Sequence, residues 1–227
     1  MTRQKATHTH RTPLNKDRVL RAAVALADAT GIDALSMRRL AQELDVVPMA
    51  LYKHVANKEE LLDGMVDAVV GEIDPPAAGP DWRSVVRGRI LTARRVLLRH
   101  PWAARVIESR TGPTPAVLAY LDSMAGSFRG GGLSADLTHH VMHAMGSRLL
   151  GFSQELFDTS GPSGPPGPEL AGRYPHIAEL AATAVHDGGS PVGGGCDDQF
   201  EFEFALDLLL DGFESLRGQG WTSARKV

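Results

Sequence analysis

The chain has 227 residues, 43% hydrophobic and 22% charged, an ordinary globular composition with ample length to bury a core. No run of about 18 apolar residues occurs, which excludes a helical membrane span, and the single cysteine, Cys196, excludes an internal disulfide framework and a cysteine-based zinc cluster. The net charge of -3 hides an asymmetry: residues 1–58 hold ten Lys/Arg against five acids, a net +5, which leaves -8 for residues 59–227. A basic head on an acidic body points to a polyanion as the head's partner.

In chain order, residues 1–14 read as a flexible basic arm carrying Arg3, Lys5 and Arg11. The arm lacks the apolar segment of a secretory signal, so the reducing cytoplasm is the expected compartment. Val19, Ala22, Ala23, Leu26 and Ala27 then fall on one helical face, with Asn15 as cap and Gly31 as stop. A second helix spans about 36–44 with Leu40, Ala41 and Leu44 inward. Asp45 and Val46 make a tight connection, and Pro48 suits the first turn of a short third helix reaching about His54. Asn57-Lys58-Glu59-Glu60 has a capping-box pattern and opens a fourth helix bearing Leu61, Leu62, Met65 and Val69.

The run Asp74-Pro75-Pro76-Ala77-Ala78-Gly79-Pro80 breaks the pattern and marks a domain boundary. Beyond it, helices are expected at about 82–99, 101–109, 113–129, 134–157, 169–186 and 198–217, with mobile Gly/Pro-rich loops at 159–168 and 188–197. No strand is expected. The fold class is therefore all-α: a helix-turn-helix domain over 15–73 and a larger helical domain over 74–227. The last helix is apolar almost all round and needs burial on more than one side, which suits a homodimer.

Two short helices joined by a tight turn across 36–54 describe a helix-turn-helix, whose second helix enters the major groove. The candidate DNA face is Ser36, Met37 and Arg38 at the start of the second helix, Pro48, Met49, Ala50, Tyr52, Lys53 and His54 on the third, and Lys58 opening the fourth. Ser36 offers a hydroxyl and Lys58 a point charge to phosphate. Tyr52 can donate its O–H to phosphate, and Pro48 and Met49 suit apolar contact with thymine methyls.

The runs Gly31-Ile32-Asp33-Ala34-Leu35-Ser36-Met37-Arg38-Arg39-Leu40-Ala41-Gln42-Glu43-Leu44 and Leu51-Tyr52-Lys53-His54-Val55-Ala56-Asn57-Lys58-Glu59-Glu60-Leu61-Leu62 resemble the TetR family of repressors over about 15–62. More loosely, the Phe202 to Glu214 run, His100-Pro101 and the stretch from Gly146 to Glu155 resemble a tetracycline-repressor type of regulatory domain. The resemblance implies a homodimeric, ligand-responsive repressor on a palindromic operator, released by a small-molecule inducer. It also implies a dimer made by the 134–157 and 198–217 helices. Aligned through Trp82 and His100-Pro101, Arg89, Ile107, Arg110 and Met124 stand where the family's tetracycline-binding members carry Asn, His, Thr and Gln, and only Glu155 is retained. These departures argue against magnesium–tetracycline. A more apolar or anionic compound suits Arg89, Arg110, Met124, Phe128 and Phe152, although each also reads as a core or surface residue.

His139 and His143 have i, i+4 spacing but no evident third ligand, so no metal is expected. No nucleophile elbow, phosphate loop or dinucleotide fingerprint occurs, so neither catalysis nor a cofactor is expected. Cys196 has no visible activating environment. Two rivals remain: a non-switching architectural DNA-binding dimer, and a metal-dependent helical enzyme built on the His cluster and Glu155.

Overall fold

A computed structural model of the protein describes residues 13–75, 79–151, 172–176, 178–179, 186–187, 195–196 and 198–223. The described residues are helical apart from connections and one two-residue antiparallel pairing. They fall into two compact units. The first takes the chain up to Ile73 together with Arg99–Tyr120, and the second takes Asp74–Leu98 with the residues from Leu121 on.

In the first unit, α1 (Lys16–Thr30) starts where the Asn15 side chain accepts the Arg18 N–H at 2.8 Å. It buries Val19, Ala23, Leu26 and Ala27 and stops at Gly31, whose φ of 80° suits a residue without Cβ. A 3-10 turn (Ile32–Ala34) leads to α2 (Met37–Glu43), capped by Ser36. At the end of α2, Val46 N–H donates to Ala41 C=O and Asp45 N–H to Gln42 C=O. This is the paired bonding of a Schellman stop, with Asp45 at its left-handed position, φ 52°. It sets the tight turn into α3 (Pro48–Leu51), which has proline at its start. The chain continues to His54 as a turn rather than as helix.

Helix α4 (Lys58–Val70) is capped by Asn57, which accepts the Glu60 N–H at 2.8 Å. Glu60 reaches back to the Ala56 N–H, one residue before the position a strict capping box uses. A Cβ on Gly64 would lie 2.7 Å from Leu20, so glycine permits the close approach of α1 and α4. Helix α6 (Ala103–Ser109), which lies within the expected 74–227 domain, clusters with this unit. It buries Ala103 and Val106 and packs on α4.

The second unit contains nearly all of α5 (Trp82–Arg99), most of α7 (Pro115–Gly130), α8 (Ala135–Leu150) and α9 (Asp198–Gly218). Phe128 is fully buried, with ring centroids 5.7 Å from Trp82 and 6.4 Å from Phe213. A row of ion pairs ties α5 to α9: Arg83 to Asp211, Arg87 to both Glu203 and Asp207, and Arg94 to Asp198. The two carboxylates beside Arg87 raise its already high pKa further. Helix α8 stops at Leu150, capped by Gly151 in extended backbone, rather than running to 157. Residues 152–171 lie outside the described set, as does most of the expected 169–186 helix and the whole 159–168 loop. Near the 188–197 loop, β1 (His186–Asp187) pairs antiparallel with β2 (Gly195–Cys196), a short ladder the sequence did not signal.

Candidate nucleic-acid interface

The first unit places the ten candidate DNA residues at the ends of three consecutive helices. Ser36 accepts the Arg39 N–H through its hydroxyl at 3.2 Å and is exposed at the N-terminus of α2. Arg38 is exposed beside it, and Met37 is half-buried. On α3, Leu51 is fully buried and anchors the helix, leaving Pro48, Met49, Tyr52 and Lys53 exposed. Ala50 and His54 are half-buried. Lys58 is exposed at the first position of α4.

The charges in this unit divide by their partners. Lys16 is paired with Glu60 at 2.8 Å, Arg99 with Glu72 at 2.8 Å, Arg105 with Asp33 at 2.6 Å and Arg110 with Glu59 at 2.7 Å. Among the described residues, Arg38, Lys53 and Lys58 have no carboxylate within ion-pair distance. Unpaired, exposed cations keep their full attraction for phosphate. Polar contacts also cross-brace this unit. His100 is buried, with Nδ1 2.9 Å from Asp28 and Nε2 3.3 Å from Glu72, and the Trp102 ring N–H donates to Asp28 at 2.7 Å. Partial burial opposes the charge on Glu72, but Arg99 and His100 outweigh it and hold its pKa below the ordinary 4.5. The Lys16 ammonium and the Ala56 N–H do the same for Glu60.

Two exposed residues of this face carry no sequence signal of their own. Val47 caps α3 and is 68% exposed, and Arg39 is exposed on α2 without an ion-pair partner among the described residues. Only position could have found them: each adjoins a residue of the candidate face.

The candidate ligand residues fall in both units. Arg89, Met124 and Phe128 belong to the second unit, and Ile107 and Arg110 to the first. Arg89 is buried and donates to the Asp74 C=O at 2.7 Å. Met124 and Phe128 are sealed in the core, and Ile107 is half-buried. Arg110 bonds Glu59 at 2.7 Å and Asp63 at 3.2 Å. Burial works against its charge, yet the two carboxylates raise its pKa overall. Phe152 and Glu155 lie outside the described residues. His139 and His143 are exposed on α8 with ring centroids 4.8 Å apart, and among the described residues no group of three metal-ligating side chains forms. No described helix is long and apolar enough to cross a membrane.

Residues 19–65 match the model of the tetR family of bacterial regulatory proteins, and residues 75–217 match the tetracyclin repressor-like C-terminal domain. The chain is 30% identical to an HTH-type transcriptional regulator of Saccharopolyspora erythraea, over 90% of this chain and 86% of that one. It is 33% identical to the HTH-type transcriptional repressor DrrR1 of Streptomyces coeruleorubidus, over 91% and 79%. Among solved structures, apo ActR from Streptomyces coelicolor superposes with a TM-score of 0.70 at 29% identity, covering 92% of this chain and 99% of that one. ActR has also been solved with actinorhodin, TM-score 0.66 at 28% identity, covering 91% and 100%. BioQ bound to its double-stranded DNA operator superposes with a TM-score of 0.62 at 25% identity, covering 89% and 99%. With a DNA-binding head matched over 19–65 and a regulatory domain matched over 75–217, the chain belongs to the TetR family of helix-turn-helix transcriptional regulators.

Proposed function

We propose that this chain is a cytoplasmic homodimeric repressor that holds a palindromic operator and releases it when a small molecule binds. The observation that carries the DNA-binding face is the cluster of exposed, unpaired cations around α3, Arg38, Lys53 and Lys58, in a unit where Lys16, Arg99, Arg105 and Arg110 are engaged by carboxylates. In a dimer, two such faces would meet successive major grooves about 34 Å apart. Dimerisation is supported by α9, which exposes Phe200, Phe204 and Leu208 along one side, with the two rings stacked at 6.3 Å.

Inducer binding is supported by the ligand-bound ActR structures. The ligand contacts remain those expected at Arg89, Ile107, Arg110, Met124, Phe128, Phe152 and Glu155. Arg110 of that set has a built-in consequence, because it joins the end of α6 to Glu59 and Asp63 on α4. An anionic ligand there would compete with both carboxylates and loosen α4, which carries Lys58. To empty a nearly full operator, the ligand must favour the released state by several kcal/mol.

The test is a gel-shift series on an operator duplex recovered by selection. Tyr52→Ala and Lys58→Ala should each weaken binding without lowering Tm. Wild-type affinity in both variants would refute this placement of the DNA face.

A further inference from the structure

The tip of α3 carries no hydrogen-bonding side chain. Val47 caps the helix without a side-chain bond, and Pro48, Met49 and Ala50 follow. Proline also removes one backbone donor. Val47 is 68% exposed and Met49 is 70% exposed, both beyond Tyr52 at 43%. Inward packing is met by Leu51, so neither Val47 nor Met49 supports the core.

The segments on either side of this apolar tip carry exposed cations alongside the exposed acids Glu43 and Asp45. Arg38, Lys53 and Lys58 are exposed, and none has a carboxylate partner among the described residues. An apolar protein partner would have to strand those charges, whereas a polyanion uses them. The DNA major groove combines flanking phosphates with an apolar group on the base edge, the C5-methyl of thymine.

We infer that this chain selects its operator through thymine methyl groups packed against Val47 and Met49. The inference rests on the DNA-binding reading of α3 above and specifies what that face reads. Polar contacts from Tyr52, Lys53 and Lys58 then position the duplex, while the tip discriminates bases by the presence of a methyl. Cytosine at the same positions leaves the tip without a methyl to pack on, and 5-methylcytosine restores the methyl although its amino group differs. One buried methyl corresponds to roughly a 4-fold change in affinity, and about 15-fold when it is removed from both half-sites.

The test uses the full chain and an operator duplex selected from a random pool. Each thymine is replaced by deoxyuridine, symmetrically in both half-sites, which removes only the methyl. Dissociation constants are measured for the wild type, Val47→Ala and Met49→Ala, with melting temperature as the folding control. The expected result is one or two positions where uracil weakens wild-type binding about 15-fold, with the penalty shrinking in at least one variant. Sequence-specific binding that no uracil substitution changes by more than about twofold would overturn the inference while leaving DNA recognition intact, as would an equal penalty in all three proteins. A selection that yields no consensus would overturn the DNA-binding reading and this inference together.

Discussion

Lys16, Arg99, Arg105 and Arg110 are held by carboxylates within the first unit, whereas Arg38, Lys53 and Lys58 project without such partners among the described residues. The sequence shows a surplus of positive charge but not this division, because the partners are 27 to 72 positions away or hidden by the fold. Arg21 and Arg39 are also exposed without an ion pair among the described residues, so the candidate DNA face is marked by lack of a partner together with position around α3. Lys58→Ala should therefore lower the slope of log K against log salt by about 0.9 for each phosphate no longer neutralised, with sequence preference unchanged. Equilibrium binding across a salt series measures it, and an unchanged slope would contradict the assignment. Asp45 illustrates a residue role that sequence only half reveals. Its place in a tight turn is legible, but its left-handed backbone is not. A β-branched replacement cannot take that conformation cheaply, so Asp45→Val should cost about 1–2 kcal/mol in urea unfolding, and Asp45→Gly less.

At the scale of elements, α1, α2 and α4 were readable because their caps and periodicities agree: Asn15, Ser36 and Asn57 each accept a backbone N–H three residues on. The end of α8 was less readable. Arg148-Leu149-Leu150 continues the helical pattern past Gly146, and a single glycine at 151 is a weak stop signal. The ladder of Arg83, Arg87 and Arg94 against α9 could not be seen either, since its partners are 104 to 128 residues away. On the side of α9 away from its buried Phe202, Leu206 and Leu210, the apolar stripe was legible, and the structure leaves Phe200, Phe204 and Leu208 exposed. If that stripe is the dimer seam, Phe204→Glu places a charge against its symmetry mate's apolar surface and should give a monomer by sedimentation. A variant that stays dimeric would move the seam elsewhere.

For the whole molecule, the carboxylates that brace it set its response to acid. Lys16 lowers the pKa of Glu60. For Glu72, Arg99 and His100 overcome the opposing effect of burial, and Gln199 with Arg87 lowers Glu203. A carboxylate with a depressed folded-state pKa contributes stability above its unfolded value, and that contribution is lost as pH falls through the folded value. Stability to urea should therefore fall below about pH 4.5, and Glu72→Gln should flatten the decline; a rise in stability on acidification would contradict the bracing role. Family and architecture were legible over most of the chain. The attachment of α6 to the head was not, because it depends on Trp102, His100 and Arg110 meeting residues of α1 and α4 far away in sequence. Function turns on whether a two-fold pair of these heads reads a specific DNA sequence. Selection of bound duplexes from a random pool at two salt concentrations tests this most directly. The expected product is an inverted repeat with half-site centres about one helical turn apart, recovered at both salts. Binding without a consensus, falling steeply with salt, would show that the head is held only by charge and would contradict sequence-specific recognition.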